Sequence, residues 1–413
     1  MNPFRSLARA GALLILLLPT PAATQQLTLL AGGDTEKSPR GYLEPAASAH
    51  NPGDWIPIPY LNLEAHREAI RARVGKQNLD EGSRPHHLEA TFRLDRTFAT
   101  SVEEQRYPFL RMLDLLRGAD VSFANLEMPL SNARCKAAAT CGAPAFADAL
   151  RWAGLDVLSL ANNRSTDAES IGVLDSIDAL SRAGLNPVGA GHNLDEARRP
   201  LVIDRNGLKV AILAYTHSNS LGIDGFVTPD KSGVMPLDPF LIKEDIQRVR
   251  DQVDFVVLSF HWGVQRPEDL TGAYRFDGPM KEERKFAQEM IDAGADIILG
   301  HHPHVPKGVE VYKSGVIFYS LGNFTMGHGH DWWLDNFLAR LTLVKGAIPQ
   351  VEILPLAGKG MDIIQPYLLE GDRAQALLRD IQKLSAQLDT PMTIEGNVGV
   401  IRPRARQPTG AGR

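Results

Sequence analysis

Residues 295–304 read Ala295-Asp296-Ile297-Ile298-Leu299-Gly300-His301-His302-Pro303-His304. A short aliphatic run closed by glycine is the pattern of a buried parallel strand, and this one delivers three imidazoles to its C-terminal end. Open α/β sheets bind ligands just beyond that edge. Neutral imidazole is the commonest side-chain metal ligand, and histidines three apart in a tight turn can converge on one ion. The competing account is a polar loop closed by a proline turn.

Four other segments repeat the pattern. Val253 to Leu258 leads into Ser259-Phe260-His261-Trp262-Gly263, and Asp156 to Leu160 ends in Ala161-Asn162-Asn163-Arg164. Asp120 to Ala124 leads to Asn125-Leu126-Glu127, and Leu27 to Ala31 leads to Gly32-Gly33-Asp34. Five apolar strands thus place carboxylate, amide or imidazole groups at their ends. Mixed oxygen and nitrogen donors suit a borderline divalent ion, Mn, Zn or Fe, better than Ca or Mg.

At 413 residues the chain has ample material for a large core, and a net charge of -5 points away from nucleic acid as a partner. Residues 1–24 have the order of a secretory signal peptide. Arg5 and Arg9 precede a continuous apolar stretch from Ala12 to Leu18, which gives way to Pro19 to Ala23. An exported protein, periplasmic or extracellular, is expected, with an uncleaved membrane anchor as the lesser alternative. In an oxidising compartment the two cysteines, Cys135 and Cys141, are expected to close a local disulfide.

Residues 25–358 read as one α/β domain. Within it, 35–105 form an irregular proline-containing insertion at the mouth of a site, with one short helix near Leu63 to Val74. His50, His66, His86 and His87 fall there and are expected to be solvated. Helical spacing predicts helices over 108–117, 145–153, 171–183, 238–249 and 281–293, the fourth capped by Asp238 with Pro239 at its first position. Asn206-Gly207 and Lys313-Ser314-Gly315 predict hairpins. Residues 359–401 form a C-terminal extension with a late helix, and the Pro/Gly/Arg composition of 402–413 predicts a disordered tail. Crossover helices together with hairpins argue for a layered α-β-β-α sandwich with mixed sheets.

These segments resemble the CapA family, the poly-γ-glutamate capsule biosynthesis proteins, whose fold is that of the calcineurin-like metallophosphoesterases. The resemblance rests on Gly33-Asp34, Ala124-Asn125-Leu126-Glu127-Met128-Pro129-Leu130, Ser159-Leu160-Ala161-Asn162-Asn163 and Val188-Gly189-Ala190-Gly191. It continues through His261-Trp262-Gly263, Gly300-His301-His302-Pro303-His304 and Tyr319-Ser320-Leu321-Gly322-Asn323-Phe324. It implies a two-metal site with Asp34, Glu127, Asn163, His261, His301 and His304 as ligands. Asn163 is also explained by an Asn turn after a strand. The family usually continues Asn-Asn with His, which in metallophosphoesterases is thought to protonate a leaving group; here Arg164 stands there, with Asp167 keeping the nearby carboxylate. A guanidinium can hold an anion bidentately but is a poor general acid. Thr35-Glu36-Lys37 also departs from the family's apolar tendency, and Glu36 is either an extra carboxylate or solvated.

Of the remaining polar residues, His302 points either into the site or away, His217 is read as a loop residue and Trp262 as a packing wall. Asn323 would orient the site by hydrogen bonding, and His328, His330, Trp332 and Trp333 are read as an aromatic, polar surface turn, with substrate contact as the alternative. The function expected is that of an exported metal-dependent hydrolase acting on a small phosphoester, or on a phosphoester or amide of an anionic envelope polymer such as poly-γ-glutamate. The alternative is a non-catalytic factor that binds such a polymer during synthesis or export. Envelope synthesis or export machinery is a further expected partner.

Overall fold

Aliphatic runs separated by helical segments become two mixed sheets, each carrying its own helices on one face. The computed structural model describes residues 25–35, 101–133, 141–217, 225–263, 279, 281–326 and 333–403. The signal segment, nearly all of the insertion, Glu36, Cys135, His328, His330, Trp332 and the tail from 404 lie outside the described residues.

In chain order the elements begin β1 (Gln26–Thr35), α1 (Val102–Arg106), α2 (Leu113–Gly118), β2 (Val121–Leu126), α3 (Phe146–Ala153), β3 (Val157–Ser159), α4 (Glu169–Arg182) and β4 (Asn186–Val188). Next come β5 (Ala190–Gly191), α5 (Leu194–Ala197), β6 (Leu201–Arg205), β7 (Leu208–Thr216), β8 (Gly233–Val234), α6 (Pro239–Arg250) and β9 (Phe255–His261). Then follow α7 (Lys281–Asp292), β10 (Ile297–His301), β11 (Val309–Tyr312), β12 (Gly315–Phe318) and β13 (Asn323–Thr325). The last are β14 (Asn336–Val344), β15 (Gln350–Leu356), α8 (Gly371–Ala386), β16 (Thr393–Glu395) and β17 (Val398–Ile401).

One sheet has the order β16-β17-β15-β14-β1-β2-β3-β4, with β13 beside the end of β1, and the other has the order β11-β12-β10-β9-β7-β6. The runs β1-β2-β3-β4 and β7-β9-β10-β12 are parallel, so their C-terminal ends gather at common edges. Residues 359–401 build onto these layers: β17 pairs with β15, and Leu377, Leu378 and Ile381 of α8 join the central core.

Strand periodicity decides which residues face which layer. Leu27, Leu29 and Ala31 of β1 pack between the sheets against Val210, Ile212, Val257, Ile297 and Leu299. Leu30 of the same strand, with Ala124, Leu126 and Leu158, turns outward beneath Leu116, Phe146, Leu150 and Leu180 of α2 to α4. On the second sheet Ala211, Leu213, Val256, Leu258 and Ile298 meet Ile242 and Ile246 of α6 and Met290 and Ile291 of α7. The result is the expected α-β-β-α sandwich.

Local signals are realised where chemistry forces them. Asn206 and Gly207 both take positive φ (55° and 76°), as the predicted two-residue hairpin between β6 and β7 requires. The Asp238 side chain accepts hydrogen bonds from the Phe240 and Leu241 amides, capping α6 with Pro239 at its start. Cys141 is buried and disulfide-bonded.

The helix expected over 108–117 is broken. A 3-10 turn at Tyr107–Phe109 precedes α2, and Phe109 packs against Phe146 and Phe324 with ring centroids 6.0 and 6.2 Å away. Phe109, Met112 and Leu116 are all buried, so their spacing is satisfied without one continuous helix.

Arg250, at the end of α6, ties together the entries to β9 and β10. Its guanidinium donates to the carbonyls of Gly294 (2.8 Å), Val253 (3.0 Å) and Asp254 (2.9 Å) and to Asp296 (2.5 Å). Asp296 is buried, so Arg250→Ala removes the charge opposite a desolvated carboxylate. The expected cost is about 2–4 kcal/mol, read as a lower urea midpoint at constant slope. An unchanged midpoint would mean that water replaces the guanidinium at no loss.

Candidate metal centre

The parallel strands bring their polar ends together at one seam between the sheets. From the first sheet, Asp34 lies in register with Asn125 on β2 and Asn323 on β13. Glu127 follows β2, its amide donating to the Thr35 carbonyl at 2.9 Å. From the second sheet, His261 at the end of β9 lies in register with His301 at the end of β10. Asp34, Glu127, His261 and His301 are all buried.

Beyond β10 the backbone twists sharply. His302 and His304 have φ values of 97° and 59°, a region that non-glycine residues enter only when their surroundings compel it. The His302 amide donates to Asp34 Oδ2 at 3.2 Å, and its Nδ1 lies 3.1 Å from His261 Nε2. His304 turns the other way: Nδ1 is 3.4 Å from Asp34 Oδ2 and Nε2 is 3.8 Å from Glu127 Oε1. The Asn323 carboxamide oxygen lies 2.8 Å from His304 Nδ1, the orienting contact expected of it.

Among the described residues two groups of donors emerge, Asp34–Glu127–His304 and Glu127–His261–His302. In each, one ligand atom per residue lies within 4.8 Å of the others, and Glu127 belongs to both. Asn163 Oδ1 is 2.7 Å from His261 Nε2, which puts its amide beside the second group. His301 falls in neither group. Its Nδ1 is 3.6 Å from Asp34 Oδ1, its ring packs on Phe123 at 5.9 Å, and neither nitrogen finds a hydrogen-bond partner among the described residues. His302, whose direction the sequence left open, belongs to the second group, while His301, a ligand by the resemblance, belongs to neither.

Asn125 and Asn162, which the sequence reading left without roles, brace the site from below. Asn125 Nδ2 donates to Asp34 Oδ1 at 2.8 Å and lies 3.4 Å from His261 Nδ1. Asn162 Nδ2 donates to Asn125 Oδ1 (3.1 Å) and the Leu126 carbonyl (2.8 Å), while its oxygen accepts from the Arg164 and Ser165 amides. An amide in the middle of a buried apolar strand was the available signal, since such a group needs partners. Arg164 stands at the rim with its side chain 48% exposed, 3.7 Å from the buried Asp167. His217 is an exposed loop residue, and buried Trp262 stacks on Tyr319, as expected.

Burial pushes the His301 and His302 imidazoles down to about 4 and holds His261 well below the usual range. The neighbouring histidines add to the depression at His261 and His302. Neutral imidazoles beside carboxylates are the protonation states a divalent ion requires. The 3.7 Å approach of His261 to Glu127 is therefore a neutral donor beside an anion, two lone-pair donors facing one region. Three imidazoles, two carboxylates and an amide oxygen fit a pair of borderline divalent ions.

The same shifts predict acid lability. Unfolding restores each imidazole to about 6.5, so the unfolded chain binds more protons than the native one between that value and about 4. The stability contributed by neutral His301 and His302 is intact above pH 6.5 and lost as pH falls toward 4, on the order of 3 kcal/mol for each. Urea midpoints of metal-free protein from pH 7.5 to 4.5 should fall accordingly, less steeply in His301→Leu. A flat profile would show that these imidazoles are not held neutral.

Residues 77–328 match the profile of the family described as Bacterial capsule synthesis protein PGA_cap. The chain is 35% identical over 212 residues to the capsule biosynthesis protein CapA of Bacillus anthracis, covering 50% of this chain and 49% of that protein. It is 35% identical over 201 residues to the PGA biosynthesis protein CapA of Bacillus subtilis, covering 48% and 50%. The chain thus spans about half the length of the curated relatives it matches. Among solved structures it is similar to the calcineurin-like phosphoesterase YfkN from Bacillus subtilis, at 12% identity and a TM-score of 0.34, covering 89% of this chain and 98% of that one. With more than half of its residues inside the matched profile, the chain belongs to the bacterial capsule synthesis protein PGA_cap family.

Proposed function

We propose that this chain is an exported, metal-dependent hydrolase of capsule or cell-envelope polymer synthesis, acting on a phosphoester or amide bond of an anionic substrate. The observation that carries the reading is the pair of donor groups sharing Glu127. Asp34, Glu127 and His304 would hold one ion, and Glu127, His261, His302 and Asn163 the other. Such ions, when bound, supply Lewis acidity and ionise water near neutral pH. The chain's own contribution is orientation: Asn125 fixes Asp34, Asn323 fixes His304, and burial keeps His261 and His302 neutral. The two Bacillus relatives named for capsule and PGA biosynthesis support an acidic envelope polymer as substrate or partner, and the Arg-flanked apolar leader at 5–18 supports export.

The test is elemental analysis of protein incubated with Mn, Zn or Fe, followed by turnover assays with 4-nitrophenyl phosphate and a γ-glutamyl amide. Near two equivalents of metal and turnover of either substrate are expected. Full metal loading with no turnover, together with binding of poly-γ-glutamate, would instead establish a non-catalytic polymer-binding factor. The exposed guanidinium at the rim favours that second reading, since it offers an anion contact without chemistry.

A further inference from the structure

We propose that Arg164 restricts the site to substrates whose leaving group departs without being protonated: phosphoanhydrides and acyl or aryl phosphates, in place of alkyl phosphomonoesters and amides. The proposal rests on the reading of the site as a hydrolase and narrows its substrate class.

Arg164 is fixed at its root, and its half-exposed tip has Asp167 as an ion-pair partner without a hydrogen bond between them. Its amide donates to Asn162 Oδ1 at 3.1 Å, and the preceding Asn163 lies against His261. Arg164 therefore follows directly on the residue that borders the Glu127–His261–His302 group, with its side chain 48% exposed. The guanidinium makes no hydrogen bond among the described residues. The carboxylate paired with it, Asp167, is 3.7 Å away, beyond hydrogen-bonding length. A half-exposed fork of N–H donors in the loop that borders a cluster of metal-type ligands is suited to two oxygens of a phosphoryl group.

The same group has no proton to give, because arginine stays protonated throughout the working range of a protein. In phosphoryl hydrolysis, water oxygen forms the new bond to phosphorus while the bond to the leaving oxygen breaks. The leaving oxygen takes the electron pair; one water proton stays with the phosphate product and the other is lost to solvent. A phosphate, carboxylate or phenolate leaves readily as an anion and takes up a proton afterwards if its basicity requires one. An alkoxide or amide nitrogen needs a proton as the bond breaks, and a positioned general acid is worth roughly 10²–10⁴-fold for such groups. Asp34, Glu127, His261, His302 and His304 belong to the donor groups. Among the described residues two imidazoles remain near this seam: His301, buried against Phe123 with Nδ1 3.6 Å from Asp34, and His217, which is exposed and whose amide donates to the His261 carbonyl at 2.9 Å.

The experiment uses metal-loaded protein, with metal content measured for every variant, and the series 4-nitrophenyl phosphate, phenyl phosphate, glycerol phosphate and pyrophosphate. Binding of inorganic phosphate is followed separately by calorimetry. For the native chain, kcat/KM should drop by roughly 10²-fold or more from 4-nitrophenyl to glycerol phosphate. Arg164→Gln should weaken inorganic phosphate about tenfold and lower kcat/KM across the series. Arg164→His should flatten the series by raising activity toward glycerol phosphate.

A shallow series in the native chain, or one that His217→Ala makes steeper, would overturn the proposal while leaving the hydrolase intact. So would phosphate affinity unchanged in Arg164→Gln. No turnover of any substrate by fully loaded protein would overturn the hydrolase reading, and this proposal with it.

Discussion

Glu127→Ala is expected to empty both metal positions, whereas His302→Ala and His304→Ala should each empty one. The asymmetry follows from Glu127 being common to the two donor groups while each histidine belongs to a single group. Removing a shared carboxylate also removes negative charge that two dications would otherwise neutralise. The affinity loss should therefore exceed the roughly 10–100-fold that follows from changing a residue that only orients a ligand. Asn125→Ala serves as that comparison, because Asn125 touches Asp34 and His261 without belonging to either group. Metal content after dialysis, measured alongside circular dichroism, reads the result directly. One full equivalent retained by Glu127→Ala would show that the two positions are independent.

Gly33→Ala should be the most damaging single methyl group in the seam. A Cβ at Gly33 would sit 1.9 Å from the Gly322 carbonyl oxygen and 2.7 Å from its carbon. Both are backbone atoms, and that same oxygen accepts the Asp34 amide at 3.0 Å, so no side-chain rotation relieves the clash. Either β1 or the segment entering β13 must move, and Asp34 moves with it. A loss of about 3–5 kcal/mol is expected, at or above the upper end of ordinary overpacking. At roughly 1.2 °C per kcal/mol for a chain of 413 residues, the melting temperature should fall by about 5 °C. Gly118→Ala is the control: nothing lies within 4 Å of its added Cβ, so it should be neutral or slightly stabilising. Equal melting temperatures for the two variants would show that the seam yields more easily than its geometry implies.

Much of this arrangement is legible in the chain because strand ends are local features. Aliphatic runs terminated by Asp34, Glu127, Asn163 and His261 announce both the strands and what they deliver, and parallel pairing then forces those ends to one edge. The Asn206-Gly207 hairpin and the Asp238 cap are equally local. What could not be read depends on backbone torsion or distant packing. Choosing between His301 and His302 requires knowing that residues 302 and 304 adopt left-handed φ, which no hydrophobic period encodes. The break before α2 arises from Phe109 docking on Phe146 and Phe324, partners far along the chain. Asn125 sits inside an apolar run, and its use becomes visible only once Asp34 and His261 stand beside it.

The two sheets are separate hydrogen-bonded ladders, packed face to face through aliphatic side chains. Aliphatic packing resists separation but has little directionality, so it tolerates small sliding of one layer over the other. Asp34 and Glu127 come from one ladder, while His261, His302 and His304 come from the other. An ion shared between them would act as a clasp across the seam, adding to the hydrogen bond from the His302 amide to Asp34. Metal loading would then set the relative pitch of the two halves of the sandwich as well as the chemistry at its edge. The melting temperature of the whole chain would rise with metal concentration by mass action.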